Sequence, residues 1–89
     1  MNKQLSFRPE AWDDYLYWQG KDRKTLKRIN ELLKDIECNG YVGIGKPEPL
    51  KHDLLHWWSR RIDHNNRLVY RITERGIEIL QCGSHYRDK

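Results

Sequence analysis

Long apolar runs are missing from this chain of 89 residues. Nothing approaches the roughly 20 apolar residues a membrane-spanning helix needs. The first residues have no apolar signal core, so a cytoplasmic protein without a membrane partner is expected. Cysteine is scarce, and the two present, Cys38 and Cys82, lie far apart with no CxxC spacing. That argues against a zinc ribbon or a redox pair and fits a reduced compartment. Internal repeats and low-complexity linkers are also absent, so one domain spanning 1–89 is expected. Hydrophobic residues make up only 37%, so the core must be modest.

Charge and indole rings are plentiful. Charged residues reach 34% and the formal net charge is +4, which suits either an anionic partner, nucleic acid first, or a merely solubilising surface. Four Trp and five Tyr can stack on exposed bases or supply bulk to a small core.

Taken in order, Gln4 to Phe7 reads as a short strand. Pro9 suits the first turn of a helix, with Glu10, Asp13 and Asp14 near its positive end. Trp12, Tyr15, Leu16 and Gln19 follow helical spacing and predict an inward aromatic side; Gly20 is the expected stop. Asp22 is the expected N-cap of a second helix. Its apolar stripe is Leu26, Ile29, Leu33 and Ile36, widened by Leu32, and Gly40 ends it. Lys24, Lys27, Arg28 and Lys34 fall outside the stripe, as a solvated face or a track for phosphates. Tyr41 to Lys51 reads as a loop.

After that loop the period changes to two. Trp58, Arg60 and Ile62 alternate against Trp57, Ser59 and Arg61. Asp63 to Asn66 has turn chemistry, and Leu68, Tyr70 and Ile72 alternate against Arg67, Val69 and Arg71. This predicts a hairpin, followed by a last strand over Ile77–Gly83 buried on both faces. The fold class is α+β, in the order β-α-α-β-β-β, a mostly antiparallel sheet with two N-terminal helices on one face. If Ile62, Leu68, Tyr70 and Ile72 face the helices, then Ser59, Arg61, Arg67 and Arg71 face away. Arginines unpaired with acids on an open sheet face make a phosphate seat.

The span Gly45 to Arg67 concentrates the chemistry. Glu48 sits between Pro47 and Pro49, flanked by Lys46 and Lys51, and has the type of a restrained general base. His85 follows the last strand and has the type of a general acid. Metal-free RNA cleavage needs a base for the ribose 2′-OH, a cation for the phosphorane and an acid for the leaving 5′-oxygen. Glu48, Arg67 or Arg61, and His85 supply those types, while each alone is equally an ordinary surface residue. His52 and His56 are spaced as a metal pair on a helix, but the HExxH glutamate and a third ligand are missing. No metal or cofactor is therefore expected. Trp58 reads as core, and Trp57 as a base platform or an interface anchor.

Several segments together resemble a known family. They are Trp12-Asp13-Asp14-Tyr15-Leu16-Tyr17-Trp18, Gly45-Lys46-Pro47-Glu48-Pro49-Leu50-Lys51-His52, Trp58-Ser59-Arg60-Arg61-Ile62, Arg67-Leu68-Val69-Tyr70 and His85-Tyr86. In order and over nearly the whole chain they are similar to the YoeB toxins of the RelE-like superfamily. The resemblance implies a fold like small microbial ribonucleases and a ribosome-dependent mRNA endoribonuclease acting in the A site. It implies Glu48 as general base, Arg67 as stabiliser of the transition state and His85 as general acid. Tyr86 would position the substrate, and Lys51 and Arg61 would hold phosphate. It further implies a YefM-like antitoxin partner, operator DNA bound through that complex, and often a homodimer. The chain departs from the family in Arg87-Asp88-Lys89 after the His-Tyr pair, and in Arg8 where a serine cap is usual. Two rival readings use the same residues: a non-catalytic RNA- or ribosome-binding module that acts by occupancy, and a corepressor that receives an acidic peptide.

Overall fold

The computed structural model describes residues 4–84. Strand β1 (Gln4–Phe7) leads into helices α1 (Pro9–Lys21) and α2 (Arg23–Asn39). Strands β2 (Glu48–Pro49), β3 (Trp58–Arg61), β4 (Arg67–Thr73) and β5 (Gly76–Gly83) follow. The sheet order is β1-β5-β4-β3-β2. Only the β1–β5 pair is parallel. The α+β class, the two helices and the hairpin match the sequence reading. The two-residue β2 is an addition, formed where Glu48 and Pro49 pair with Ser59 and Trp58 inside the expected loop. Such a strand has no periodicity to read, because its partner strand defines it.

Helix α2 forms as its stripe predicts. The Asp22 carboxylate accepts from the Lys24 and Thr25 amides, and these bonds, led by the one from the Thr25 hydroxyl, hold its carboxyl below the usual range. Ile29, Leu32, Leu33 and Ile36 are buried. Gly40 closes the helix at φ 71, returning its N–H to the Ile36 carbonyl.

Helix α1 departs from the reading. Trp12 and Leu16 are 47% and 44% exposed, whereas Ala11 and Asp14 are buried, with Tyr15 and Trp18 packed on the core. The helix is turned by about one residue, or ~100°, because β5 needs its polar groups. Strand β1 pairs with β5 only over Gly76–Ile79. Beyond it, the Cys82 amide donates to Asp14 at 3.0 Å and the Cys82 carbonyl accepts from Trp18 Nε1 at 2.8 Å. Helix side chains thus take over where the neighbouring strand stops, and a buried backbone group left unpaired would cost more than an exposed indole.

The main core lies between the helices and the sheet. Ile29, Leu32 and Ile36 meet Ile62, Leu68, Tyr70, Ile77, Ile79 and Cys82, with Trp58 and Ile72 packed against them. This is the face predicted for Ile62, Leu68, Tyr70 and Ile72. The opposite face is not fully open as expected. Leu50, Leu54 and Trp57 fold back on Val69 and Leu80 as a second small core.

Arg60 alternates with Trp58 and Ile62 and so points inward, where none of it is exposed. All five of its N–H donors are used. Nε donates to the Tyr70 hydroxyl, Nη1 to Asp35 and the Ile44 carbonyl, and Nη2 to the Gly40 and Val42 carbonyls. The loop wraps so closely that a Cβ on Gly43, at φ +130, would lie 1.9 Å from Asp35 Oδ2. One on Gly45, at φ +81, would lie 2.7 Å from Leu32.

Two outcomes follow from this packing. Arg60→Ala removes the cation from Asp35 and a donor from each of three carbonyls, and should lower unfolding free energy in urea by about 3–5 kcal/mol. The Arg60 hydrogen bond, working against partial burial, holds the Asp35 carboxyl below its usual range. A carboxyl depressed in the folded state stabilises above its unfolded pKa, and that contribution is lost as pH falls through the folded value. The melting temperature should therefore hold from neutral pH to about 5 and drop below about 4. Asp35→Asn should flatten that acid slope in a pH series of thermal melts.

Candidate active site

The face away from the helices is built by register. Glu48 pairs with Ser59, Ser59 with Val69, and Val69 with Gln81, so these four form one row on one face. In the next row Arg61 pairs with Arg67 and Arg67 with Gly83. Glu48 is therefore diagonal to Arg61, and Arg61 lies directly across from Arg67. The structure brings together three of the predicted residues on one surface.

None of these three is in an ion pair among the described residues. Among the described residues Arg67 donates only to two carbonyls of its own turn, Asp63 at 3.1 Å and Asn66 at 3.3 Å. That turn is rigid because the Asp63 carboxylate accepts from the Asn65 and Asn66 amides and from the Asn66 side chain. Partial burial pushes the Asp63 carboxyl up, but these bonds outweigh it and hold it below its usual range. Two arginines directly across a strand pair repel each other, so the face carries an electrostatic cost that a bound anion would relieve. A polar recess of about 230 Å³ opens beside Arg67, lined by His64, Asn65, Arg67, Gly83 and Ser84.

Lys51 is exposed, at the turn that follows β2. Its neighbours His52–Leu54 form a single 3-10 turn. His52 and His56 both have positive φ, 58 and 81, so the expected helical presentation of a histidine pair does not exist. His85 and Tyr86 lie outside the described residues.

Two expectations need correction. Arg71 is on the predicted face but is not an unpaired cation. Its Nε donates to Glu78 at 2.9 Å, and Glu78 also holds Arg8 at 3.1 Å. Partial burial pushes the Glu78 carboxyl up, but the Arg71 and Arg8 bonds outweigh it and hold it below the usual range. Trp57, expected as a base platform or interface anchor, is only 8% exposed and belongs to the second core. The Arg71 guanidinium covers its ring, 4.3 Å from the centroid, as a cation–π contact. Both differences share one cause: the strand pattern reads faces, while the Leu50–Trp57 segment that roofs this face has no period.

Sequence reasoning also missed Arg60 and Gln81. Arg60 had a signal, a charge at a core-facing register position. Gln81 is buried with no hydrogen-bond partner for either side-chain atom among the described residues, and only the bulge in β5 places it beside Val69. The cysteines supply no nucleophile to this face. Cys82 lies among the core residues beneath α1, and burial pushes its thiol up to about 12.

Comparison with known proteins gives a consistent picture. The family model described as the YoeB-like toxin of bacterial type II toxin–antitoxin systems matches residues 7–86. Toxin YoeB of Escherichia coli K12 is 51% identical over 82 residues, covering 92% of this chain and 98% of that protein. Toxin YoeB of Streptomyces coelicolor is 49% identical over 82 residues, with the same coverage. The solved YoeB–YefM complex from Staphylococcus aureus contains a chain 47% identical, with a TM-score of 0.89, covering 97% of this chain and 100% of that one. The E. coli DinJ–YafQ complex, at 16% identity and a TM-score of 0.77, shares the fold.

Burial of Cys82 against the exposure of Cys38 sets a simple outcome. A thiol reagent at pH 8 should titrate one cysteine in the native protein and two after unfolding. Rapid native reaction of both would mean that the β5–α1 packing opens readily.

Proposed function

Because the chain belongs to the YoeB-like toxins of bacterial type II toxin–antitoxin systems, we propose that it is an endoribonuclease that cuts mRNA in the ribosomal A site and so stops translation. The observation that carries this reading is the row geometry. Pairing of β2 with β3 sets Glu48 on the face of Arg61 and Arg67, and none of the three is ion-paired among the described residues.

The chemistry is a metal-independent transphosphorylation. Glu48 takes the proton of the ribose 2′-OH, and that oxygen attacks the adjacent phosphorus. Arg67, with Arg61 and Lys51 nearby, holds the charge that grows on the phosphorane oxygens. His85 gives its proton to the departing 5′-oxygen, and Tyr86 positions the substrate. The products are a 2′,3′-cyclic phosphate and a 5′-hydroxyl. Arg71 is committed to Glu78 and Trp57, so in this reading it braces the roof of the site and does not seat phosphate. The cognate partner is a YefM-like antitoxin, through which operator DNA is bound, and a second copy of the chain is a further partner. Solved relatives from Staphylococcus aureus include both a YoeB–YefM complex and a YoeB dimer. No helix among the described residues is long and apolar enough to cross a membrane, and a cytoplasmic site of action suits the ribosome as target.

Expression without antitoxin tests the assignment. Glu48→Ala, Arg67→Ala and His85→Ala should each lower cleavage of ribosome-bound mRNA by roughly 100-fold or more and relieve growth arrest. If all three cut like the parent, the catalytic assignment is wrong. If Glu48→Ala cuts nothing yet still blocks translation, occupancy by a non-catalytic module replaces the reading.

A further inference from the structure

Gln81 stands apart from two other buried polar side chains, Arg60 of β3 and Asp14 of α1. Arg60 satisfies every donor, and Asp14 accepts from the Cys82 amide. Gln81 is buried as well, yet among the described residues neither Oε1 nor Nε2 has a partner. Burying an amide unpaired is costly, and native proteins keep few such groups without a reason.

Its position suggests the reason. Tyr70 pairs with Ile79 and Val69 with Gln81, so Leu80 is an extra residue in β5. This bulge turns Leu80 and Gln81 to the same face, the one that carries Glu48, Arg61 and Arg67. Without the extra residue the alternation would send position 81 to the helix side. Arg67 pairs with Gly83, two residues along from Gln81, so Gln81 and Arg67 are diagonal neighbours with Cα atoms roughly 7–8 Å apart. Gly83 has no side chain to stand between them. The Arg67 guanidinium donates to the turn carbonyls of Asp63 and Asn66.

We propose that Gln81 is a positioning residue for Arg67. When RNA occupies the face, Arg67 leaves the turn carbonyls, and Gln81 Oε1 accepts a hydrogen bond from its guanidinium and aims it at the phosphate. The unpaired amide is thus a receptor held ready for the bound state, at a cost to the stability of the free fold. This inference rests on the endoribonuclease reading above.

Gln81→Met, Arg67→Ala and the double variant test it, by thermal melting and by cleavage of mRNA on programmed ribosomes. Met fills a similar volume without an amide, so Gln81→Met should melt at or above the parent temperature. Its kcat should fall roughly ten- to hundred-fold with KM unchanged, because Arg67 acts on the transition state. In the Arg67→Ala background Gln81→Met should change kcat by less than about two-fold, since it acts through that residue. The inference is overturned by an unchanged kcat in the single variant. It is also overturned by a loss that multiplies in the double variant, or by a lower melting temperature, which would mean that the resting fold already satisfies the amide. If the parent chain cuts no mRNA, the endoribonuclease reading falls and this inference with it.

Discussion

A guanidinium taken fully out of water is tolerated only when each of its donors finds an acceptor. Arg60 meets that condition through three parts of the chain that are otherwise independent. Asp35 comes from α2, three carbonyls come from the loop after it, and the Tyr70 hydroxyl comes from β4. The loop is closed further by the Ile44 amide on Asp35 and the Arg61 amide on the Gly45 carbonyl. It then runs directly into β2. The position of Glu48 on one face of the sheet is therefore set by a charge buried on the other. Because β3 alternates, the same strand sends Arg60 inward and Arg61 outward. A one-residue slip would exchange a satisfied buried cation for an unsatisfied one, so register here is strongly specified.

The arginines of the sheet consequently divide by their partners. Arg60 is consumed by structure. Arg71, beneath its pairing with Glu78, lies on Trp57 and steadies the small core that roofs half the second face. Arg61 and Arg67 face each other across a strand pair, and neither is in an ion pair among the described residues. Stability alone would not select that arrangement, since like charges directly opposite are unfavourable. An anion bound between the two arginines would relieve that repulsion, which is what the proposed reading asks of this part of the face.

Helix α1 shows a second trade between polar and apolar demands. The helix leaves Trp12, Leu16 and Tyr17 largely exposed so that Asp14 and Trp18 can complete the hydrogen bonds of β5. Apolar area near a helix surface is worth about 25 cal/mol per Å², which is a weaker demand than a buried amide and carbonyl without partners. Strand β5 in turn carries the bulge that turns Gln81 toward Arg67 and ends at Gly83 opposite that residue. Its exact course matters to the face that carries Glu48, Arg61 and Arg67 as well as to the core.

Local chemistry determined a good deal of this. Pro9, the Asp22 cap, the Gly40 stop and the stripe from Ile29 to Ile36 mark the helices, because caps and 3.6-residue periods act over a few neighbours. Alternation about Asp63–Asn66 marks the hairpin and places Ile62, Leu68, Tyr70 and Ile72 against the helices and Arg61 and Arg67 away from them. The order of motifs from Trp12 to Tyr86 marks the family. What only the tertiary structure decided has a different range. The pairing that makes Glu48 a strand residue, the burial of Trp57, the capture of Arg71 by Glu78, the rotation of α1 and the bulge at Leu80 all depend on contacts between segments far apart in the chain. A residue's spacing states which face it can occupy. Whether that face is open, roofed or paired depends on which distant group has an unmet charge or hydrogen bond to bring there.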